Sequence, residues 1–394
     1  MYRTVVLTPD ASHVVGRNDL GGVAVPDEKV SKQHAELRFT RGVFQVRDLG
    51  SRNGTFVDGQ RVAGVTEAKP GAVLRLAQTV LLLLEDLRDY FVGHVAHDDF
   101  AVGPRLQRVL DQATQAAASG AHLLIRGESG AGKELVARRF HAGVGAKTPF
   151  VAVNCAAIPA TVAEGQLFGA VKGGYTDSKQ DRRGFLGEAD GGVLFLDEIA
   201  ELDQGVQAKL PRAVETGEVV PVGASAPQTV AVRIVAASHA SVRDAVAQKK
   251  FRDDLYYRLS QHELEVPALR ARREEVPWLM QYALAGTPVE LHASAVEAAL
   301  LRPWPGNVRE LLAATAKAAR AATAESDTVL RAEHLPGDAG RPFAASGPTP
   351  IVIPARPPPA PREALSKEAI LEALERTGGN VSEAARVLGI QRPS

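Results

Sequence analysis

Residues 121–134, AHLLIRGESGAGKE, decide how the chain is read. AHLLIRG is apolar enough for a buried strand, and the residues after it satisfy the pattern GxxxxGK through Gly127, Gly132 and Lys133. Such a loop, here with Glu128, Ser129, Gly130 and Ala131 inside it, offers successive backbone N–H groups to phosphates at a helix N-terminus, and the lysine reaches the outer phosphates. One position departs from the pattern: Glu134 stands where Ser or Thr would give a hydroxyl to Mg2+. A second stretch supports the reading. GGVLFLDEI, residues 191–199, is a buried strand ending in Asp197 and Glu198, at the kind of sheet edge where α/β proteins bind ligands. There Asp197 can hold Mg2+ and Glu198 can polarise an attacking water.

Outward from these motifs the pattern is regular. From Phe100 to about residue 265, strand-like runs (AHLLIRG, FVAVN, VLFLDEI, VRIVAAS) alternate with Ala-rich helical stretches, as in a parallel sheet covered by helices. A helical, Arg- and Glu-rich segment follows to about 335. Residues 2 to about 87 are different, with short β-rich runs between Gly, Asp and Asn turns that read as an all-β sandwich. Nine of the 26 residues from Pro336 to Pro361 are proline, the composition of an extended linker, and a short helical tail ends the sequence.

The bulk composition sets limits. A chain of 394 residues is too long for one core. Forty-six basic and forty-six acidic residues leave no global field toward nucleic acid or membrane, so any such contact is local. The longest apolar run, in TVLLLLED, falls short of the roughly 20 residues a membrane span needs, and MYRTVVLTPD lacks a signal-peptide pattern. The expected location is the cytoplasm, with no membrane partner. The single cysteine, Cys155, excludes an internal disulfide or a Cys-rich zinc site and reads as buried and inert.

In the N-terminal segment Gly16-Arg17, then Ser31 and His34 in SKQH, then Asn53-Gly54-Thr55 follow one another between short strands. In this order they resemble the forkhead-associated (FHA) domain over about residues 1–92. Arg17 and Ser31 supply the guanidinium fork and hydroxyl that a peptide phosphate wants, and Asn53 has both donor and acceptor for the peptide backbone. The resemblance implies those roles, with His34 bracing the loop, Lys32 and Arg52 assisting, and a phosphothreonine-containing protein as ligand.

GESGAGKE, PFVAVNCAAIP, QLFGAVKGGYTDS, GGVLFLDEI, FRDDLYYRL and WPGNVREL, in that order, resemble the AAA+ domain of bacterial enhancer-binding proteins, the sigma-54 activators. The likeness spans an α/β subdomain at 98–270 and a helical lid at 271–335. It implies ATP hydrolysis with Mg2+, and a Glu after the loop lysine is usual in that family. It also implies that Asn154 restrains Glu198, that Arg252 and Arg258 are arginine fingers serving a neighbouring subunit, that Arg309 is the lid's nucleotide sensor, and that the ring is a hexamer. Six residues apart on one helix, the two fingers are expected on different faces. Ser238 and His239, in AASHAS, stand where the family has a polar sensor. Pro211, in VQAKLPRAVETGE, has no functional account and is expected to bend its helix.

After a linker at 336–361, residues 362–394 resemble a Fis-type helix-turn-helix. Asn380, Glu383 and Gly389 set the ends of its first helix, and the sequence stops at IQRPS, where a groove-reading helix is expected to begin. The expected fold class is therefore multidomain: an all-β FHA sandwich, an α/β P-loop NTPase with an α-helical lid, and an incomplete all-α helix-turn-helix. Three functions stay open. The first is an ATP-driven, DNA-bound regulator of sigma-54 RNA polymerase controlled through phosphothreonine. The second is a sigma-54-independent regulator. The third is a phosphopeptide scaffold whose nucleotide switches assembly. The partner loop Gly173, Gly174, Tyr175, Thr176, Asp177 and Ser178 divides the first two, because GGYTDS keeps the aromatic-threonine pair of the family's GAFTGA but carries Asp177 where glycine is usual.

Overall fold

The computed structural model describes residues 4–18, 22–88, 90, 95–97, 100–172, 181–342, 367–377 and 387. The partner loop 173–178, the linker from 343 to 361, and Asn380, Glu383 and Gly389 lie outside the described residues. The chain forms two compact units, Met1–Pro342 and Phe343–Ser394.

Among the described residues nine strands build the N-terminal sandwich: β1 (Ser12–Gly16), β2 (Val23–Ala24), β3 (Ala35–Thr40), β4 (Val43–Asp48), β5 (Thr55–Val57), β6 (Gln60–Arg61), β7 (Val65–Ala68), β8 (Val73–Leu76) and β9 (Thr79–Leu82). They pair as two sheets, β2-β1-β3-β4-β7 and β6-β5-β8-β9. Alternation puts Leu37, Phe44, Val46, Leu74 and Leu76 between the sheets. β8 breaks the alternation, since Val73 is as buried as Leu74 but belongs to a different apolar cluster, that of the helical lid. Val80 and Leu82 of β9 pack against the same cluster.

A short ribbon, β10 (Val95–His97) with β11 (Phe100–Val102), leads into α1 (Pro104–Ser119). Then come β12 (Leu123–Arg126), α2 (Lys133–Gly145), β13 (Phe150–Asn154), α3 (Ala160–Phe168), α4 (Phe185–Glu188), β14 (Val193–Asp197) and α5 (Gln204–Thr216). A ribbon of β15 (Glu218–Val219) and β16 (Gln228–Thr229) precedes β17 (Arg233–Ser238), α6 (Val242–Ala247), α7 (Asp253–Leu259) and β18 (His262–Glu265). The central sheet has the order β13-β14-β17-β12-β18 and is parallel throughout. Its apolar runs are buried on both faces, as parallel strands require. One face packs Leu194, Leu196 and Ile234 against α3, α5 and α7; the other packs Leu123, Ile125 and Val235 against α1 and α2.

α5 continues through Pro211 as one helical span. Its ends are well set: the Asp203 side chain accepts from Gly205 N at 2.8 Å, and Gly217 closes the helix at φ 71°.

The lid consists of α8 (Val276–Ala283), α9 (Ala293–Leu300) and α10 (Asn307–Ala324), with β19 (Glu290–Leu291) paired to β20 (Val329–Leu330). It continues past its expected end at 335. Arg302 donates to Pro336 O and Ala339 O at 2.8 and 2.9 Å, and Trp304 N donates to Gly340 O at 3.1 Å. The first residues read as linker are therefore part of the lid, because the buried Trp304 needs that cover. In the second unit α11 spans Lys367–Arg376, at the start of the helical tail.

A buried acid lies where sandwich, sheet and lid adjoin. Glu274 is 7% exposed; its Oε2 accepts from the Tyr90 hydroxyl at 3.3 Å, and its Oε1 has no hydrogen-bond partner. Burial, with the neighbouring Glu275 charge, pushes its pKa up to about 7, against the pull of Tyr90 and Arg105. A folded-state pKa above the unfolded value of 4.5 means that the stabilisation is complete below about pH 4.5 and is lost as pH rises through about 7, an effect of roughly 3 kcal/mol. Urea midpoints at about pH 5 and about pH 8 are expected to differ in the wild type and to converge in Glu274→Gln. An undiminished difference in the variant would assign the pH dependence elsewhere.

Candidate functional site

Gly127 to Gly132 leave β12 and arrive at α2 with Gly130 at φ 71° and Gly132 at φ 104°. These left-handed conformations open the loop's N–H groups toward one point. At Gly130 a Cβ would also meet Gly306 O at 2.4 Å, so the loop's closeness to the lid depends on glycine. Lys133 opens α2; its Nζ donates to Gly127 O at 3.1 Å and lies 3.6 Å from Glu198 Oε1. Glu134 turns away and pairs with Arg138 at 2.6 Å on the exposed side of the helix.

β14 delivers the two carboxylates differently. Burial pushes the pKa of Asp197 above the usual range, Lys133 only partly offsetting it, and its Oδ1 accepts from Glu198 N at 3.1 Å. Glu198 lies in the left-handed region at φ 53°. Burial would raise its pKa too, but hydrogen bonds from His239 and the charge of Lys133 outweigh that and hold it below the usual glutamate value. His239 Nδ1 is 2.5 Å from Glu198 Oε2, and its backbone N donates to the same oxygen at 3.3 Å.

Asn154 ends β13. It is paired in register with Asp197, but its Oδ1 accepts from Ala156 N at 3.0 Å, capping the next turn. The side chain that engages Glu198 is His239, because β17 lies beside β14 and its end faces the carboxylate. Cys155 is 2% exposed and its thiol is pushed up to about 12 by burial and the two neighbouring carboxylates, which keeps it inert.

The lid's Asn307 and Arg309, with Arg270 and Arg272 just ahead of α8, close on this loop. Asn307, at φ 52° and fully buried, accepts from Leu269 N at 2.8 Å and donates to Glu128 Oε2 at 3.0 Å and Ser129 O at 3.1 Å. Arg270 grips the Glu128 carboxylate at 2.6 and 2.8 Å and lowers its pKa to about 2. Arg272, 1% exposed, donates to Ala131 O at 2.5 Å and Pro267 O at 3.0 Å and pairs with Glu275. Arg309 approaches Ser129 Oγ at 3.4 Å, at the loop as expected for a nucleotide sensor. Asn307 stands inside the quoted WPGNVREL, but only its fold position reveals its three partners.

Arg252 and Arg258 do not both lie within one helix. Arg252 is the N-cap residue of α7 and pairs with Asp254 at 3.0 Å; Arg258, in the last turn, pairs with Glu215 at 2.8 Å and donates to Asp254 O at 2.9 Å. Both side chains remain partly exposed, at 48% and 34%.

The sandwich holds a second site. Arg17, Ser31, Lys32, Arg52 and Asn53 line one cleft of about 770 Å³, with Glu28, Lys29 and Arg75. His34, fully buried, accepts from Ser31 N at 3.1 Å and reaches Gly54 O at 3.1 Å, so one ring ties the two loops that carry Ser31 and Asn53. Arg52 N donates to Ser31 Oγ at 3.2 Å and Asn53 Nδ2 to Lys29 O at 2.7 Å. A Cβ at Gly16 would come within 2.0 Å of Lys32 O, which explains the glycine ahead of Arg17.

With this geometry in hand, residues 101–265 match the sigma-54 interaction domain, residues 13–77 the FHA domain, and residues 361–394 the bacterial regulatory protein, Fis family. The chain thus carries a sigma-54 interaction domain behind an FHA domain and ahead of a Fis-family segment. Transcriptional regulatory protein ZraR of Klebsiella oxytoca is 40% identical over 300 residues, covering 73% of this chain and 65% of that one. The Nif-specific regulatory protein of Azotobacter vinelandii is 37% identical over 338 residues, covering 80% and 63%. The chain thus spans about 65% of the length of ZraR. Among solved structures, NtrX from Brucella abortus in complex with ATP is 32% identical with a TM-score of 0.54, covering 73% of this chain and 65% of that one. In this sigma-54 activator domain, then, the loop, both carboxylates and the lid arginine converge, while the two expected fingers lie apart on α7.

Proposed function

We propose that this chain is an ATP-hydrolysing transcription regulator that remodels sigma-54 RNA polymerase and is controlled by phosphothreonine recognition at its FHA cleft. The observation that carries the reading is the convergence of Lys133, Asp197 and Glu198 under the Asn307 and Arg309 edge of the lid. Loop N–H groups and Lys133 bind the phosphates. Glu198, ionised at neutral pH, orients and polarises the attacking water, and His239 fixes the carboxylate's direction.

Mg2+ fits the site as a partner of Asp197, a half-buried carboxylate whose burial is incompletely compensated. Among the described residues no cluster of three or more His, Cys, Asp or Glu could hold a metal, so the ion would share Asp197 with the nucleotide's own phosphates. When bound, it neutralises phosphate charge.

Arg252 and Arg258, exposed on α7, are suited to a neighbouring subunit's nucleotide in a hexameric ring, exchanging Asp254 and Glu215 for phosphate. Loop 173–178 would touch sigma-54, and the tail would bring the ring to DNA. Among the described residues no helix is long and apolar enough to cross a membrane, which fits a cytoplasmic regulator. Binding of sigma-54 by a ring trapped with a transition-state nucleotide analogue tests the partner; binding only after Asp177→Gly would favour the sigma-54-independent reading.

The FHA half has its own test. Arg17 lines the cleft, and each charge-assisted hydrogen bond it gives a phosphate is worth about 1.5–3 kcal/mol. Calorimetry with a phosphothreonine peptide is expected to show Arg17→Ala weakening binding by a hundredfold or so. Equal binding of the unphosphorylated peptide would refute phosphothreonine recognition.

A further inference from the structure

The cleft on the sandwich is not made by the sandwich alone. His292 lines it, and His292 is the residue that caps α9 of the lid. Its Nδ1 accepts from Ser294 N at 3.1 Å, which points the other ring nitrogen outward to Gln78 Nε2, 2.5 Å away in the turn between β8 and β9. Gln78 Oε1 in turn accepts from Ala293 N at 3.2 Å. Arg75, a second cleft residue, is bound from behind by the lid: its Nε donates to Glu297 Oε2 at 2.6 Å, with the two side chains only 14% and 5% exposed. Glu297 Oε1 also accepts from Gly59 N at 3.1 Å, and the Arg75 guanidinium rests 3.9 Å above the Phe56 ring.

These contacts differ from a loose domain collision. Glu297 is 4% exposed, and Val73, Val80 and Leu82 of the sandwich enter the lid's apolar cluster around it. The lid that presents Asn307 and Arg309 to the nucleotide loop is the same body that presents His292 and Glu297 to the sandwich. The cleft's lid end is also positively charged, with Arg75 and Lys29 close enough to His292 to disfavour its protonation, after the larger effect of burial.

We propose that the phosphopeptide site is a composite of sandwich and lid, taking a phosphothreonine peptide whose flanking acidic side chain reaches Arg75, beside the wall that His292 and Gln78 close, so that peptide occupancy and sandwich–lid docking stabilise one another. The proposal rests on the phosphothreonine reading of the cleft. Docking sets Arg75 on Glu297, which holds its guanidinium at the cleft, and closes the cleft's lid end with His292, whose ring nitrogens are engaged by Ser294 and Gln78. A peptide bound there therefore favours the docked lid by the same factor by which docking favours the peptide. Because that lid also holds the nucleotide loop, the coupling reaches ATP.

The full chain is titrated with a short peptide carrying one phosphothreonine followed by glutamates, and with its counterpart in which alanines replace the glutamates. Arg17→Ala, His292→Ala and Glu297→Gln are compared with the wild type, and hydrogen exchange is followed across residues 290–300 with and without peptide. Wild type is expected to prefer the glutamate peptide, His292→Ala and Glu297→Gln to lose about tenfold for it and little for the alanine peptide, and exchange in 290–300 to slow on binding. Arg17-dependent binding that neither lid variant alters, with exchange in 290–300 unchanged, overturns the composite site and leaves the FHA reading standing. Absence of Arg17-dependent binding overturns both.

Discussion

Glu198→Gln is expected to bind ATP about as well as the wild type and to hydrolyse it at least a hundred times more slowly. The amide keeps the shape of the side chain and can still meet His239, but it cannot accept a proton or polarise water as a carboxylate does. The site makes this separation possible because binding and chemistry rest on different groups. Lys133, 7% exposed and anchored on Gly127 O, serves the phosphates, so Lys133→Ala should lose nucleotide affinity itself. His239→Ala adds a third arm: removing the 2.5 Å contact frees the carboxylate from its present direction, which should change kcat far more than KM. Steady-state hydrolysis with a fluorescent-nucleotide binding assay reads all three. Undiminished turnover in Glu198→Gln would sink the assignment of the base.

Arg272→Met should cost about 3–5 kcal/mol, the usual consequence of leaving one member of a buried ion pair alone. Arg272 and Glu275 are each 2% exposed in their side chains, and Glu275 Oε1 also accepts from Gly103 N at 2.9 Å, at the entrance to α1. Burial raises the pKa of Glu275, and Arg272 is the main group opposing that rise. Without the guanidinium the carboxylate must hold a proton or admit water, and Ala131 O of the nucleotide loop loses its donor. For a domain of this size the melting temperature should fall by something on the order of 10 °C. The double variant Arg272→Met with Glu275→Leu is expected to recover much of the loss, since an apolar pair of similar volume has no charge to strand. If the single variant melts like the wild type, the pair contributes neither stability nor loop anchorage.

Some of the site was legible because its chemistry is local. GESGAGKE fixes its own loop through glycine conformations and the start of α2, and VLFLDEI brings Asp197 and Glu198 to a strand end by length alone. The SKQH and NGT fragments were readable for the same reason, each being a turn between strands. What escaped the sequence depends on contacts between distant segments. His239 engages Glu198 because β17 pairs beside β14, 41 residues away in the chain. Asn307 reaches Glu128 across 179 residues, and Arg75 reaches Glu297 across 222. The expectation that Arg252 and Arg258 share one helix failed because a helix boundary was not legible: Arg252 lies just ahead of α7, where helical periodicity does not apply.

By itself the sequence determined the order of domains, the phosphate loop, the paired carboxylates and the residues of the FHA cleft, since periodicity, turn chemistry and short motifs act over a few residues. The tertiary structure alone decided that β8 and β9 pack against an apolar cluster on each face, that Asn307 of the lid with Arg270 and Arg272 ahead of it grips the nucleotide loop, and that His292 stands in the cleft. Burial and the pairing of charges between distant segments are properties of the packed whole. An arginine in RARREE reads as surface until the fold removes its water and leaves Glu275 as its partner.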